Sequence, residues 1–208
     1  MVDYHDRLQS GMQPIVREIL DRHFSAHEGE WTPVTVAAAL HFYIHRKIPY
    51  ERRHEDGTRP FRPPTETWRT GGNCEEKTVT LASLYDSLRG VETRMLSVFN
   101  DSGDGHLLVE AGVDASAIRV NDALDEFYER LAERRDTFSD DYRSYYVTDG
   151  DRRTWYVADP EMGGYLGDAG SLSRKGYVSG RRIDWEWVDL RRYTYPDEGR
   201  IDGPAADT

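Results

Sequence analysis

The sequence predicts an α+β domain in which helices come first and an antiparallel sheet follows. Three observations indicate this class. Three segments before residue 90 repeat their apolar residues at helical spacing, shorter runs typical of strands begin at residue 91, and turn signals separate those runs. The length of 208 residues suits one domain, which we place at residues 1–195, with a disordered tail at 196–208.

The first two predicted helices precede every strand. Residues 4–28 form the first helix, and Gly29 ends it. The second helix begins with Thr32 as its N-cap and Pro33 at the first helical position, where the N–H that proline lacks has no partner to lose. Pro49 ends this second helix.

Two pairs of histidines stand four residues apart on these helices, a spacing that can hold a metal ion. His23 and His27 are interpreted instead as last-turn residues, which the C-terminal end of the helix dipole favours. His41 and His45 fall beside the buried stripe of the second helix, so we expect them on its solvated edge. The sequence therefore predicts no metal site.

The third predicted helix begins at Cys74, the only cysteine in the chain. Residues 51–67 are polar and contain three prolines, which predicts an irregular loop leading to it. Positions 74, 78, 81 and 85 share one face of the helix, so we expect Cys74 to point inward at the helix start. The Arg-Gly pair at 89–90 ends the helix.

The second half of the chain predicts strands that turns and one helix separate. An Asp-Gly turn at 149–150 is expected to join the strands at 145–147 and 154–159 into a hairpin. A helix at 118–136 lies in an insertion at about 114–150, which is either a lid over the site or a solvated elaboration. Residues 163–170 are predicted to be a loop. The predicted strands are 91–99, 106–113, 145–147, 154–159 and 182–190.

The charge balance argues against one class of partner. The chain has 27 basic and 38 acidic residues, a formal net charge of 27 − 38 = −11, and its only lysines are Lys47, Lys77 and Lys175. Such an acidic, lysine-poor surface fits either adaptation to a salty cytosol or a GC-rich genome that encodes arginine in place of lysine. The arginine pairs are scattered among acids and form no basic stripe, so we expect no nucleic-acid partner.

The cysteine count and the apolar pattern predict the compartment. One cysteine rules out a disulfide within the chain and a multi-cysteine metal cluster, and the natural setting is a reducing cytoplasm. The N-terminal residues include an early acid and no uninterrupted apolar run, so we expect no signal peptide. No stretch approaches the roughly 18 apolar residues of a membrane span, so we expect no membrane partner.

The central question is whether Cys74 is an inert core residue, as most lone cysteines are, or a nucleophile. Thiol catalysis needs an available thiolate, a base within reach, and a third group that orients the base. A helix N-terminus favours the thiolate, whereas Glu75 and Glu76 oppose it, so an imidazolium partner is required. His106 opens one predicted strand and Asp159 closes another, and antiparallel neighbours would bring these two ends side by side.

Four short motifs resemble those of the transglutaminase-like superfamily of thiol enzymes, over about residues 33–162. The segment KIPYE at 47–51 also resembles the one that precedes the cysteine loop in that family. Leu107 stands where members of the family often carry an aromatic residue. The four motifs, in chain order, are Gly72-Asn73-Cys74 at a helix start, Gly90 and Arg94 after that helix, His106 at the start of a strand, and Trp155 through Pro160.

The resemblance implies a transglutaminase-like or papain-like core, with the nucleophile helix packed on an antiparallel β-sheet. It implies that Cys74 is the nucleophile, that His106 is the general base and then the acid, and that Asp159 orients His106. The reaction would be attack on an amide or ester carbonyl through a thioester acyl-enzyme, with no metal or organic cofactor. The backbone N–H of Cys74 is the first candidate for the oxyanion donor, and Trp68 and Asn73 are further candidates.

By analogy we expect hydrolysis of a peptide or of a small amide or ester, in the manner of a peptidase or amidase. Two other interpretations stay open. One is a true acyl-transferring transglutaminase, and the other is a non-catalytic module that holds a peptide in the same groove.

Overall fold

A computed structural model of the protein describes residues 9–51, 61–100, 102–134, 146–148 and 153–177. Within these residues the chain forms six helices and four strands, which confirms the predicted α+β class. The predicted strand at 182–190 and the tail at 196–208 lie outside the described residues. The elements are α1 (Gln13–His23), α2 (Pro33–Lys47), α3 (Pro64–Thr70), α4 (Cys74–Asp86), β1 (Val91–Phe99), β2 (Gly105–Val113), α5 (Ala117–Arg134), β3 (Tyr146–Thr148), β4 (Thr154–Ala158) and α6 (Gly170–Arg174).

The four strands form one antiparallel sheet in the order β1-β2-β4-β3. Val98 of β1 lies opposite His106, and Ala158 at the end of β4 lies opposite Val109 of β2. The predicted antiparallel pairing of β3 with β4 is present, and the predicted Asp-Gly turn at 149–150 lies outside the described residues. Helix α4 packs on β1 and β2, and α2 lies against α1, α4 and α5. None of the described helices is both long and apolar enough to cross a membrane.

Helix α2 is buried on every side along its middle. All residues from Ala37 to Ile44 are buried, and the Tyr85 hydroxyl of α4 donates to the Ala37 carbonyl at 3.0 Å. The expected solvated edge is therefore wrong: His41 is fully buried and His45 is half-buried. Where a helix is buried on every side, its sequence shows no contrast between an apolar face and a polar face. No solvent-facing side can then be predicted from the sequence.

Two segments predicted to be loops contain short helices. The predicted loop at 51–67 is wrong at its end, because α3 begins at Pro64 with Pro63 as its N-cap. Proline at the first helical position favours a helix start, so the same residues that break a helix can also begin one. Residue 170, the last of the predicted loop at 163–170, begins α6. Of the first helix predicted at 4–28, residues 4–8 lie outside the described residues, and the described part is helical only over Gln13–His23, so His27 lies beyond its last turn.

Helix α5 belongs to the core, so its part of the insertion at 114–150 is not a solvated elaboration. It packs on α2, and Leu124, Phe127 and Tyr128 are almost wholly buried in the main hydrophobic cluster. The Tyr128 hydroxyl also accepts a hydrogen bond from the backbone N–H of Leu166 at 2.8 Å. The charged residues of this segment lie on its other face, which is the pattern of an ordinary amphipathic helix.

Candidate active site

Two glycines bring the chain to the start of α4 through a narrow space. The Gly72 N–H donates to the Pro49 carbonyl at 3.1 Å, and the Gly72 carbonyl accepts from the Glu51 N–H at 3.0 Å. Gly71 has φ +103°, a left-handed backbone that glycine adopts without steric cost. A Cβ on Gly72 would lie 2.8 Å from the Thr67 side chain. These contacts fix the point at which α4 begins.

Helix α4 begins at Cys74 with a complete capping box. The Asn73 side chain accepts from the Glu76 N–H at 2.8 Å, and the Glu76 carboxylate accepts from the Asn73 N–H at 3.0 Å. The same carboxylate accepts from the Arg62 N–H at 2.8 Å and lies 3.6 Å from the Arg62 guanidinium. The negative charge of Glu76, which opposes a thiolate at Cys74, is therefore offset by a nearby cation. Cys74 itself is half-buried.

His106 and Asp159 meet at the end of the sheet, where β2 begins and β4 ends. The His106 Nε2 lies 2.8 Å from the Asp159 Oδ2. Asp159 is fully buried and His106 is 5 % exposed, so this bond is shielded from water. On its other side the imidazole lies near Cys74, whose thiol contributes to raising the pKa of His106. The structure thus brings Cys74, His106 and Asp159 together.

The Asp159 carboxylate is held on both of its oxygens. Oδ1 accepts from the backbone N–H groups of Glu161 and Met162, at 2.9 and 3.0 Å, while Oδ2 faces His106. Burial acts to raise the pKa of Asp159, but the hydrogen bond and the charge of His106 outweigh it, and the pKa is lowered. The carboxylate is therefore a fixed anion directed at the imidazole.

The surroundings of His106 favour its protonated form. Burial lowers the pKa of His106, but the hydrogen bonds to Asp159 and Cys74 and the charges of both groups outweigh burial and raise the pKa to about 9. An imidazole that stays protonated at neutral pH is the partner that a thiolate requires. His106 can therefore supply the positive charge that a thiolate at Cys74 would need.

Tyr177 covers the imidazole, although no sequence motif predicts it there. Its ring centroid lies 5.4 Å from that of His106, at an interplanar angle of 41°. Burial, followed by the negative charges of Asp104 and Cys74, raises the pKa of the Tyr177 hydroxyl, which places this side chain beside the site. Tyr177 follows α6, beyond residue 162 where the resemblance ends, so no motif pointed to it.

The two side-chain candidates for the oxyanion donor have other contacts. Trp68 lies in α3 under the Arg69 guanidinium, 4.6 Å from its ring centroid, and lines a groove of about 410 Å³ together with Arg22 and Tyr43. The Asn73 side-chain oxygen accepts from the Glu76 N–H in the helix cap. As the first residue of α4, Cys74 has a backbone N–H without an intrahelical acceptor, which keeps this N–H as the first candidate for the oxyanion donor.

The pair of His106 and Asp159 predicts how stability depends on pH once the thiol is removed. In Cys74→Ala, the pKa of His106 should still exceed the 6.5 of an unfolded histidine, because Asp159 remains. A raised folded-state pKa adds stability that is complete below pH 6.5 and disappears as pH rises through the folded pKa. We expect a loss on the order of 1–2 kcal/mol between pH 6 and pH 9.5, measured by urea unfolding.

Asp159→Asn in the same Cys74→Ala background is the control for this expectation. It removes the anion that raises the pKa of His106, so its stability should change less over the same range. Equal slopes in the two proteins would show that the pair of His106 and Asp159 does not control this pH dependence.

Comparisons with protein-family models, with curated proteins and with solved structures give no match to this chain. Among the described residues, no group of three or more His, Cys, Asp or Glu side chains is arranged to hold a metal ion. The candidate site is therefore interpreted from its own geometry.

Proposed function

We propose that the protein is a cysteine hydrolase of the peptidase or amidase type, built on a transglutaminase-like core. The observation that carries the proposal is the position of His106. It is hydrogen-bonded to a fully buried carboxylate, and it lies near enough to the only cysteine of the chain for that thiol to raise its pKa. That order of thiol, imidazole and carboxylate is the arrangement that activates a nucleophile and then protonates a leaving group.

In the proposed reaction the thiol proton of Cys74 first passes to His106, and the resulting Cys74 thiolate then attacks the carbonyl carbon of an amide or ester. The oxyanion that forms is stabilised by the Cys74 N–H. Collapse of this intermediate breaks the bond to the amine or alcohol, which leaves with the proton from His106. His106 then takes a proton from water as the water attacks the thioester, and release of the acid restores the thiol.

Hydrolysis and acyl transfer share the first half of this sequence and differ only in whether water or an amine resolves the thioester. Our preference for water, and for a peptide or small amide or ester as substrate, rests on the resemblance of the motifs. A free catalytic thiol suits a reducing compartment, which supports the cytoplasm as its location.

A substrate screen tests the proposal. Purified protein would be incubated with peptides, simple amides and esters at high salt, with and without a primary amine, and the products identified by mass spectrometry. We expect release of a free acid, and a fall of about 1,000-fold or more in Cys74→Ala. His23→Ala would be the control, because it lies at the C-terminal end of α1 and leaves the thiol and the start of α4 in place.

Other outcomes of the screen separate the alternatives. An amide product formed only with added amine would identify an acyl-transferring enzyme. Binding of a peptide without turnover, combined with slow alkylation of Cys74, would identify a non-catalytic binding module and contradict the proposal.

A further inference from the structure

Each of the three residues that directly follow β4 is hydrogen-bonded by a side chain from a helix. On α2, His41 Nε2 lies 3.0 Å from the backbone carbonyl oxygen of Asp159. His45 Nδ1, on the same helix, lies 3.4 Å from that of Pro160. On α4, Lys77 Nζ donates to the Glu161 carboxylate at 2.9 Å. The three residues held in this way, in chain order, are Asp159, Pro160 and Glu161.

We infer that Lys77 is a positioning residue, which with Glu161, His41 and His45 forms a clasp that sets the Asp159 carboxylate against His106. The inference rests on the proposed function and adds to it residues that touch neither the substrate nor the thiol. The clasp joins the helix of the nucleophile to the loop of the carboxylate, because Lys77 lies one turn after Cys74 on α4.

The burial of Lys77 indicates that the contact is specific. It is one of only three lysines in the chain, and it is 2 % exposed, whereas Lys47 and Lys175 are both exposed. Removing an ammonium group from water costs several kcal/mol unless an anion compensates it. The Glu161 carboxylate, whose side chain is 26 % exposed, supplies that compensation at 2.9 Å.

The histidines of the clasp act as neutral donors. Burial, followed by the charge of His45, lowers the pKa of His41 to about 3, and Lys77 also contributes to lowering it. Burial and the cations Arg46 and Lys77 lower the pKa of His45. Because a carbonyl oxygen only accepts, His41 must carry its proton on Nε2 to bond to Asp159.

The backbone of Asp159 is consequently fixed from both sides. Its carbonyl accepts from His41 and also from the Gly163 N–H at 3.0 Å. The N–H of Glu161, whose own side chain is held by Lys77, donates to the Asp159 Oδ1. Breaking the contact between Lys77 and Glu161 would therefore free the turn that orients Asp159 Oδ2 toward His106.

The diagnostic measurement is the pKa of the His106 imidazole, followed by NMR of its ring protons in wild type and in Lys77→Met. Loss of a positive charge alone would raise this pKa. The clasp predicts the opposite, a fall, because a misplaced Asp159 supports the imidazolium less well. We expect the affinity of His106 for a proton to drop at least about tenfold, and alkylation of Cys74 at pH 6 to slow with it.

Lys175→Met is the matched control, since it removes an exposed lysine and should leave His106 unchanged. A rise, or no change, in the pKa of His106 in Lys77→Met would overturn the inference. The readout does not depend on turnover, so a protein without hydrolase activity still reports on the clasp, and failure of the proposed function remains distinguishable.

A second pair of variants carries the test if Lys77→Met does not fold. Glu161→Gln and Glu161→Ala remove the same negative charge, but only glutamine keeps an acceptor for Lys77. We expect a larger fall in the pKa of His106 for alanine than for glutamine. Equal falls would assign the effect to charge alone and overturn the inference.

Discussion

His106→Ala is expected to slow iodoacetamide labelling of Cys74 at pH 6 by about 100-fold. The proposed function requires the imidazolium of His106, supported by Asp159, to stabilise a thiolate at this pH. Without it, only the start of α4 favours the anion, and an ordinary thiol with pKa ~8.5 is less than about 1 % ionised at pH 6. The measurement is the labelling rate from pH 5 to pH 10, read by mass spectrometry of the intact chain.

Asp159→Asn should give an intermediate profile, because it keeps a side chain of the same size and removes only the charge that supports the imidazolium. His23→Ala, at the C-terminal end of α1, is the matched control and should leave the profile unchanged. If the wild-type, His106→Ala and Asp159→Asn curves superimpose at an ordinary thiol value, Cys74 is not an activated nucleophile.

The second large effect concerns stability. Glu110 of β2 is fully buried, and its carboxylate accepts from the Arg94 Nε of β1, directly across the sheet. The Arg94 guanidinium in turn lies 3.8 Å from the centre of the Trp155 ring. Glu110→Ala would leave this largely buried cation without its anion, and we expect a loss of about 3 kcal/mol in the free energy of unfolding.

Glu92→Ala is the matched control, because Glu92 also pairs with an arginine but in solvent. Its carboxylate lies 2.7 Å from Arg153, and its side chain is 58 % exposed. Exposed ion pairs contribute less than about 1 kcal/mol, so urea unfolding should separate the two variants clearly. Equal losses would mean that burial does not decide the strength of the pair formed by Glu110.

The sheet and the meeting of His106 with Asp159 are the parts that the sequence predicts best. The predicted strand at 91–99 coincides with β1, and the predicted 106–113 differs from β2 by one residue. Alternation sets the period of a strand and turn residues set its ends, so the two signals agree. Once adjacent antiparallel strands are assumed, the side chains at their facing ends must approach each other.

Three residues near the site were not predicted as parts of it, for different physical reasons: Lys77, His41 and Tyr177. The bonds of Lys77 and His41 join residues 84 and 118 positions apart, and no local period carries such information. His41 also lies in the middle of α2, where the helix is buried on every side and its sequence shows no contrast between faces. Tyr177 reaches His106 through α6, a helix of only five residues whose pattern is too short to recognise.

The presence of a single, half-buried cysteine also determines how the site responds to oxidation. A thiolate held by an imidazolium is the form that peroxide converts to sulfenic acid. Within these 208 residues there is no second thiol to trap that species as an internal disulfide. Repair must therefore come from an external thiol, and without one the sulfur proceeds to the irreversible sulfinic state. The redox poise of its surroundings, rather than any safeguard in this chain, would set the working lifetime of Cys74.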